Sequence, residues 1–273
     1  MQMRPGGTAV ITGAASGIGL ALARRAASAG MNVVLADVDE PGLEAAAETM
    51  AGAPDGGVEV VRCDVSDADA VAALADRAHD RFGTVELLCN NAGVGGGGPV
   101  AELDRKDWEW VLGVNLWGVI HGVSSFLPRM LDAGSPAHVV NTASMAGFFA
   151  PAGMAAYSVS KFGVVALSES MRAELAGTSV GVSVLCPGWV STRIHESERS
   201  RPAALAVARP DVGDEMRDAV RQVIEGGLDP ADVADRVFEA VAADRFWIFT
   251  HPEMVRATTA RQEEVLAALD DLT

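Results

Sequence analysis

Short apolar runs alternate with longer stretches of helical period along the whole chain. Thr8–Thr12, Asn32–Asp37, Val58–Cys63, Val85–Asn90, Ala137–Thr142 and Val180–Cys186 are rich in β-branched residues and bounded by Gly, Asp or Asn, which predicts strands. Their near-continuous apolar character is that of parallel strands buried on both faces. Between them, Gly17–Ser28, Pro41–Met50, Asp67–Arg81, Asp104–Asp132 and Met154–Ala176 carry helical periodicity. A helix near Ala231–Ala243, a strand Phe246–Phe249 and a last helix from about Glu253 to Leu269 follow. This alternation predicts an α/β fold, a doubly wound, Rossmann-like parallel sheet with right-handed crossovers. No repeat or low-complexity linker divides it, so residues 1–273 read as one domain. Arg193–Pro230 breaks the pattern with Pro202, Pro210, Gly226 and Gly227 around an apolar patch, Ala203–Ala208. A connection that long suits a lid over a site.

Composition narrows the function. The chain of 273 residues has a net charge of −16, which argues against nucleic acid and against an anionic membrane surface. No apolar run approaches the length of a membrane span. A strand already begins at Thr8, which leaves no room for a secretion signal. Cys63, Cys89 and Cys186 end apolar runs without metal-ligand spacing, as buried thiols of a reducing cytoplasm would. No metal site is expected.

The chain's only tyrosine, Tyr157, precedes one of its only two lysines, Lys161, by four residues. That spacing stacks both side chains on one helix face. A phenol has a pKa of about 10, and an ammonium within about 4–6 Å favours the phenolate. Such a pair can exchange a proton with an alcohol or carbonyl. At the other end, Thr12-Gly13-Ala14-Ala15-Ser16-Gly17-Ile18-Gly19 closes the first strand and opens the first helix. Glycines there admit a pyrophosphate to the helix N-terminus. Asp37 ends the second strand, where a carboxylate bonds the adenosine ribose and repels a 2′-phosphate. With Val38 next and no Arg or Lys in the glycine turn, the cofactor expected is NAD rather than NADP.

Together these residues resemble the short-chain dehydrogenase/reductase family in its compact single-domain form, from Thr8 to Thr192, about two thirds of the chain. The glycine turn, with Gly13, Ser16, Gly17, Ile18 and Gly19, fits the family's T-G-x-x-x-G-x-G. Asp64-Val65 fits its adenine-contacting pair, and Asn90-Asn91-Ala92-Gly93 its N-N-A-G. Asn115 fits the asparagine of its central helix, and Ser144, Tyr157 and Lys161 fit its catalytic serine and Y-x-x-x-K. Pro187-Gly188, Val190 and Thr192 fit the loop that holds the nicotinamide carboxamide. The resemblance implies that Tyr157 is the acid/base and that Lys161 lowers its pKa and holds the nicotinamide ribose. It implies that Ser144 bonds the substrate oxygen, and that Asn115 interrupts its helix and positions a water behind Lys161. It also implies pairing of helices 104–132 and 154–176 in a homodimer or homotetramer. One segment departs: where many members carry T-G…D-G-G, this chain has Arg245-Phe246-Trp247-Ile248-Phe249-Thr250-His251-Pro252 and a long terminal helix.

Met145–Ala156 holds no charged residue and no hydrogen-bonding side chain, and Trp189 and Gly95–Gly98 stand near it in the pattern. Such a wall suits an apolar or bulky secondary alcohol or ketone, although apolar stripes also build plain core. Arg199, Arg201 and Arg209 are expected in solvent. The reading is an NAD-dependent interconversion of secondary alcohol and ketone. The alternatives are an NADPH-dependent 3-oxoacyl or polyketide-type reductase, disfavoured by Asp37, and a non-catalytic dinucleotide-binding sensor, disfavoured by the complete set of Asn115, Ser144, Tyr157 and Lys161.

Overall fold

A computed structural model describes residues 4–50, 57–208 and 214–270. Seven strands form one sheet: β1 (Thr8–Thr12), β2 (Asn32–Asp37), β3 (Val58–Arg62), β4 (Leu87–Asn90), β5 (Ala137–Thr142), β6 (Val180–Cys186) and β7 (Trp247–Phe249). The order is β3-β2-β1-β4-β5-β6-β7, and every pairing is parallel. The order reverses between β1 and β4, so a crevice for a ligand opens at their carboxyl ends.

Alternate strand residues feed opposite cores. Ala9 and Ile11 join α1 (Gly17–Ser28), α2 (Glu40–Glu48) and α8 (Pro230–Ala242) on one face. Val10 joins α3 (Ala68–Phe82), α5 (Gly118–Ala133) and α6 (Ala155–Glu174) on the other. The predicted helix 104–132 is one rod made of α4 (Arg105–Leu112), a π turn at Gly113–Trp117 and α5. That rod is long and apolar enough to cross a membrane, contrary to the expectation from the apolar runs alone. Here it packs on α3, α6, β4 and β5. Of the stretch 193–230, residues 209–213 lie outside the described residues, and the remainder is more regular than its composition suggests. It contains short 3-10 turns at Ile194–Ser200 and Ala203–Leu205, and a helix, α7 (Asp214–Glu225). The chain ends in α9 (Pro252–Asp270). Cys63, Cys89 and Cys186 are free and buried.

A buried histidine ties the sheet together away from the glycine turn. His138 on β5 lies 2.7 Å through Nε2 from the Ser183 hydroxyl on β6. Ser183 in turn donates to the Arg245 carbonyl ahead of β7 (2.7 Å), so Nε2 is the donor to the serine. Burial pushes the His138 pKa from 6.5 down to about 4, opposed by Asp244, whose carboxylate is 4.0 Å from Nδ1. Between those values the unfolded chain binds a proton that the folded chain refuses. Stability from this group is therefore full above pH 6.5 and is lost as the pH falls towards 4. The loss should be about 3 kcal/mol at roughly 1.4 kcal/mol per pKa unit. His138→Gln keeps an N–H donor and cannot titrate, so urea unfolding between pH 4 and 6.5 should show that much less pH dependence in the variant. Equal slopes for the two proteins would refute the assignment.

Candidate active site

The glycine turn packs directly on the loop after β4. Thr12 Oγ1 accepts from the Asn91 and Ala92 amides (2.9 and 3.0 Å), and Asn91 Nδ2 returns a bond to the Thr12 carbonyl (3.0 Å). A Cβ on Gly13, whose φ is +69°, would stand 2.8 Å from Ala92 Cα, and one on Gly19 would overlap the Gly13 carbonyl oxygen. Ser16 begins α1 in extended conformation with no side-chain cap bond. The positive end of the helix therefore faces the cradle without a capping side chain. Thr192 closes the other side, its Cγ2 standing 3.0 Å from where a Gly17 Cβ would be. A phosphate-bearing dinucleotide fits this donor set and this space.

Asp37 is tied in from two sides, Oδ2 accepting from the Ala15 amide and Oδ1 from the Asp39 amide, each at 3.1 Å. It therefore braces the glycine turn. The sheet also supplies a basic neighbour that the local sequence did not reveal. Arg62 on β3 is in register with Asp37, its guanidinium 4.0 Å from Glu40. Asp64 accepts from the Ser66 amide and hydroxyl (3.0 and 2.7 Å). Val65 is buried, and its carbonyl meets His121 Nδ1 at 2.9 Å.

The catalytic candidates converge at the carboxyl ends of β4, β5 and β6. Lys161 is buried and donates to the Thr142 carbonyl (2.9 Å), with Nζ 5.6 Å from the centre of the Tyr157 ring. Burial pushes its pKa down to about 8. Tyr157 is hydrogen-bonded to Ser144. Its phenol is raised by burial, with the Ser144 bond pulling the other way. Desolvation is the larger effect and leaves the phenol above its ordinary value. Ser144 is seated by the Ala146 amide (3.1 Å) and the Pro187 carbonyl (3.4 Å).

Asn115 lies in the π turn, fully buried. Its amide spans the backbone of Val94, Oδ1 accepting from the N–H (2.8 Å) and Nδ2 donating to the carbonyl (3.0 Å). Nδ2 also reaches Ser160 Oγ at 3.3 Å. A Cβ on Gly93 would lie 3.5 Å from Asn115 Oδ1 and 3.7 Å from Lys161 Nζ, so the three residues meet at one point. The loop Pro187–Thr192 hangs from the divergent end of the chain. The Gly188 amide donates to Thr250 Oγ1 (3.0 Å), and Val190 bridges to Leu228.

Two expectations are corrected here. Phe148 turns into an aromatic cluster with Trp247 and Phe249 at 5.5 and 5.7 Å, so this part of the apolar wall is core. Trp189, 48% exposed, is open to solvent. Arg201 is not solvated: its side chain is only 5% exposed and is paired with Asp107 at 3.0 Å. Arg199 is exposed and bonds the Arg193 and Glu196 carbonyls. Arg209 lies outside the described residues. Thr12, Arg62, Thr250 and Asp107 entered the site through contacts 25 or more residues apart, which no local motif announces.

The family described as short chain dehydrogenase matches residues 7–203. The 1-deoxy-11-beta-hydroxypentalenate dehydrogenase of Streptomyces avermitilis is 41% identical over 255 residues, covering 93% of this chain and 87% of that protein. The C alpha-dehydrogenase of Sphingobium sp. strain SYK-6 is 34% identical over 247 residues, covering 90% and 81%. Among solved structures, a short chain dehydrogenase/reductase from Burkholderia phymatum in complex with NAD superposes with a TM-score of 0.93 at 46% identity, covering 98% of this chain and 97% of that one.

Proposed function

The chain belongs to the short-chain dehydrogenase/reductase family, an oxidoreductase acting on CH–OH groups, and from that premise we propose that it interconverts an apolar or bulky secondary alcohol and its ketone with NAD, Tyr157 moving the proton. The observation that carries the reading is the meeting of Ser144, Tyr157, Lys161 and Asn115 beside a glycine cradle open to a dinucleotide. The dinucleotide would be held by Gly13, Ser16, Gly17, Ile18 and Gly19 at its pyrophosphate, by Asp37, Asp64 and Val65 at its adenosine, and by Asn91, Ala92, Gly93, Tyr157, Lys161, Pro187, Gly188, Val190 and Thr192 towards its nicotinamide. When bound it supplies the two-electron acceptor for oxidation and the donor for reduction.

The remaining work belongs to the chain. In oxidation the Tyr157 phenolate takes the hydroxyl proton, and in reduction the phenol gives it to the carbonyl oxygen. Ser144, already bonded to Tyr157, donates to the substrate oxygen and stabilises the charge that develops there. Lys161 holds positive charge beneath the phenol and passes protons outward past Asn115 and Gly93. The segment 193–230 covers the site and excludes water. NAD is favoured because Asp37 presents a fixed carboxylate where a 2′-phosphate would lie. The NAD complex of the Burkholderia protein supports the same choice. The Streptomyces relative is named for a hydroxylated substrate, 1-deoxy-11-beta-hydroxypentalenate, which agrees with an alcohol substrate.

Incubation with NAD and a panel of alcohols, from cyclohexanol to 1-phenylethanol and a hydroxysteroid, tests the activity through the reduced cofactor formed. Tyr157→Phe should lower turnover by at least about 10² while NADH affinity stays nearly unchanged. A variant with near-normal turnover would refute the role of the phenol. Oxidation should quicken as the pH rises, because it needs the phenolate of a group whose pKa burial raises.

Cofactor choice is checked by kcat/KM with each dinucleotide. NAD should be strongly preferred, and Asp37→Ala should narrow the gap. Equal efficiency with NAD and NADP in the unaltered protein would overturn the assignment.

Association follows from the same helices. Trp117 on the π turn and Val159 on α6 are 53% and 49% exposed, apolar positions that a second copy would cover. The reading is a homodimer through 104–132 and 154–176, extended or not to a tetramer. Light scattering should give at least twice the chain mass, and Trp117→Glu with Val159→Glu should give monomers. A monomeric mass for the unaltered protein would refute it.

A further inference from the structure

The first half of the covering segment is fastened down by a buried ion pair. Arg201 Nη1 stands 3.0 Å from Asp107 Oδ1, with the two side chains 5% and 2% exposed. The same guanidinium lies 4.1 Å above the Trp110 ring, donates to the Leu205 carbonyl (3.1 Å) and meets the outer carboxylate of Glu198 at 2.8 Å. Asp107 is itself the third residue of α4, where its Oδ2 accepts from the Asp104 amide (2.9 Å) in a capping box. One carboxylate therefore starts α4 and anchors the segment. Two further contacts flank the pair. Ser197 Oγ accepts from the Gly95 amide (2.8 Å), and Leu205 packs on the small core of Val94, Trp110, Val111 and Ala156. That core borders both halves of the proton machinery, since Val94 is gripped by Asn115 and Ala156 adjoins Tyr157.

A buried carboxylate without its cation is costly, so Asp107 selects the seated conformation of Arg201 over any lifted one. A guanidinium stacked on indole adds to the same preference. We propose that Arg201 is a positioning residue: through Asp107 and Trp110 it fixes residues 194–205 as a standing wall of the substrate cleft. The inference rests on the dehydrogenase reading only for its kinetic consequence.

Amide hydrogen exchange with and without NADH tests the wall without requiring turnover. In the unaltered protein the hydrogen-bonded amides of Arg201 and Leu205 should exchange slowly, and NADH should alter their rates by less than about twofold. Arg201→Met keeps the bulk and removes the charge. It should speed those amides roughly tenfold and make them respond to NADH. For an alcohol that the unaltered enzyme oxidises, it should raise KM roughly tenfold while kcat and NADH affinity hold. Arg201→Lys restores a cation to Asp107 without the planar stack and should recover part of both effects. It also carries the test if the methionine variant does not fold. Fast exchange in the unaltered protein that NADH slows would overturn the proposal, because the whole segment would then close as one lid. Unchanged exchange and KM in Arg201→Met would overturn it as well. Failure of every alcohol in the panel would refute the dehydrogenase reading instead, and leave the exchange rates to decide on Arg201.

Discussion

The junction between β1 and β4 governs the architecture of the site. Two parallel strands that carry their crossovers in opposite directions diverge at their carboxyl ends, and the gap must be held open yet rigid. Thr12 does this with one hydroxyl that accepts two amides from the opposite loop, while Asn91 answers with its own amide. The bonds satisfy backbone groups that no sheet ladder reaches. They also bring the Gly13 backbone so close to Ala92 that a side chain could not intervene. The glycine turn is therefore held by the sheet as well as by its own flexibility, and the first turn of α1 is aimed at the crevice.

The polar groups around Tyr157 are costly to bury, and the fold compensates with backbone groups. Lys161 is desolvated enough to bring its pKa down to about 8, and the Thr142 carbonyl is its partner at the end of β5. Tyr157 is held protonated by the same desolvation. Asn115 spends its whole amide on Val94 and Ser160, and a π turn accommodates it where an uninterrupted ladder would not. Buried polarity is thus concentrated where α4, α5 and α6 meet the sheet. Deeper in the core, Asn90, Asn141 and Ser168 form a bonded chain that ties β4 and β5 to α6. The helix that carries Tyr157 and Lys161 is consequently fixed to β4 and β5.

The divergent end of the chain still performs a supporting task. Thr250 receives the Gly188 amide, so the segment that departs from the family pattern holds the Pro187–Thr192 loop. Aromatic packing of Phe148 on Trp247 and Phe249 draws the apolar run before Tyr157 into the same support. Part of what reads as a substrate wall is therefore packed as that brace.

The sequence alone determined the features that rest on local periodicity. Continuous apolar runs such as Val180–Cys186 can be satisfied only with both faces buried, and the parallel order followed from that. Tyr157 and Lys161 share a helix face because four residues make about one turn, and the glycine turn is legible because its spacing is confined to one strand–helix junction. Tertiary structure decided whatever depends on contacts across the chain. Arg62 stands beside Asp37 through strand register. Arg201 meets Asp107 across 94 positions, inside a stretch whose composition reads as solvent-exposed. The Tyr157 pKa follows the summed desolvation of its surroundings more than its neighbour one turn away. Burial and ion pairing depend on which distant segments exclude water from a group, and a linear pattern does not contain that information.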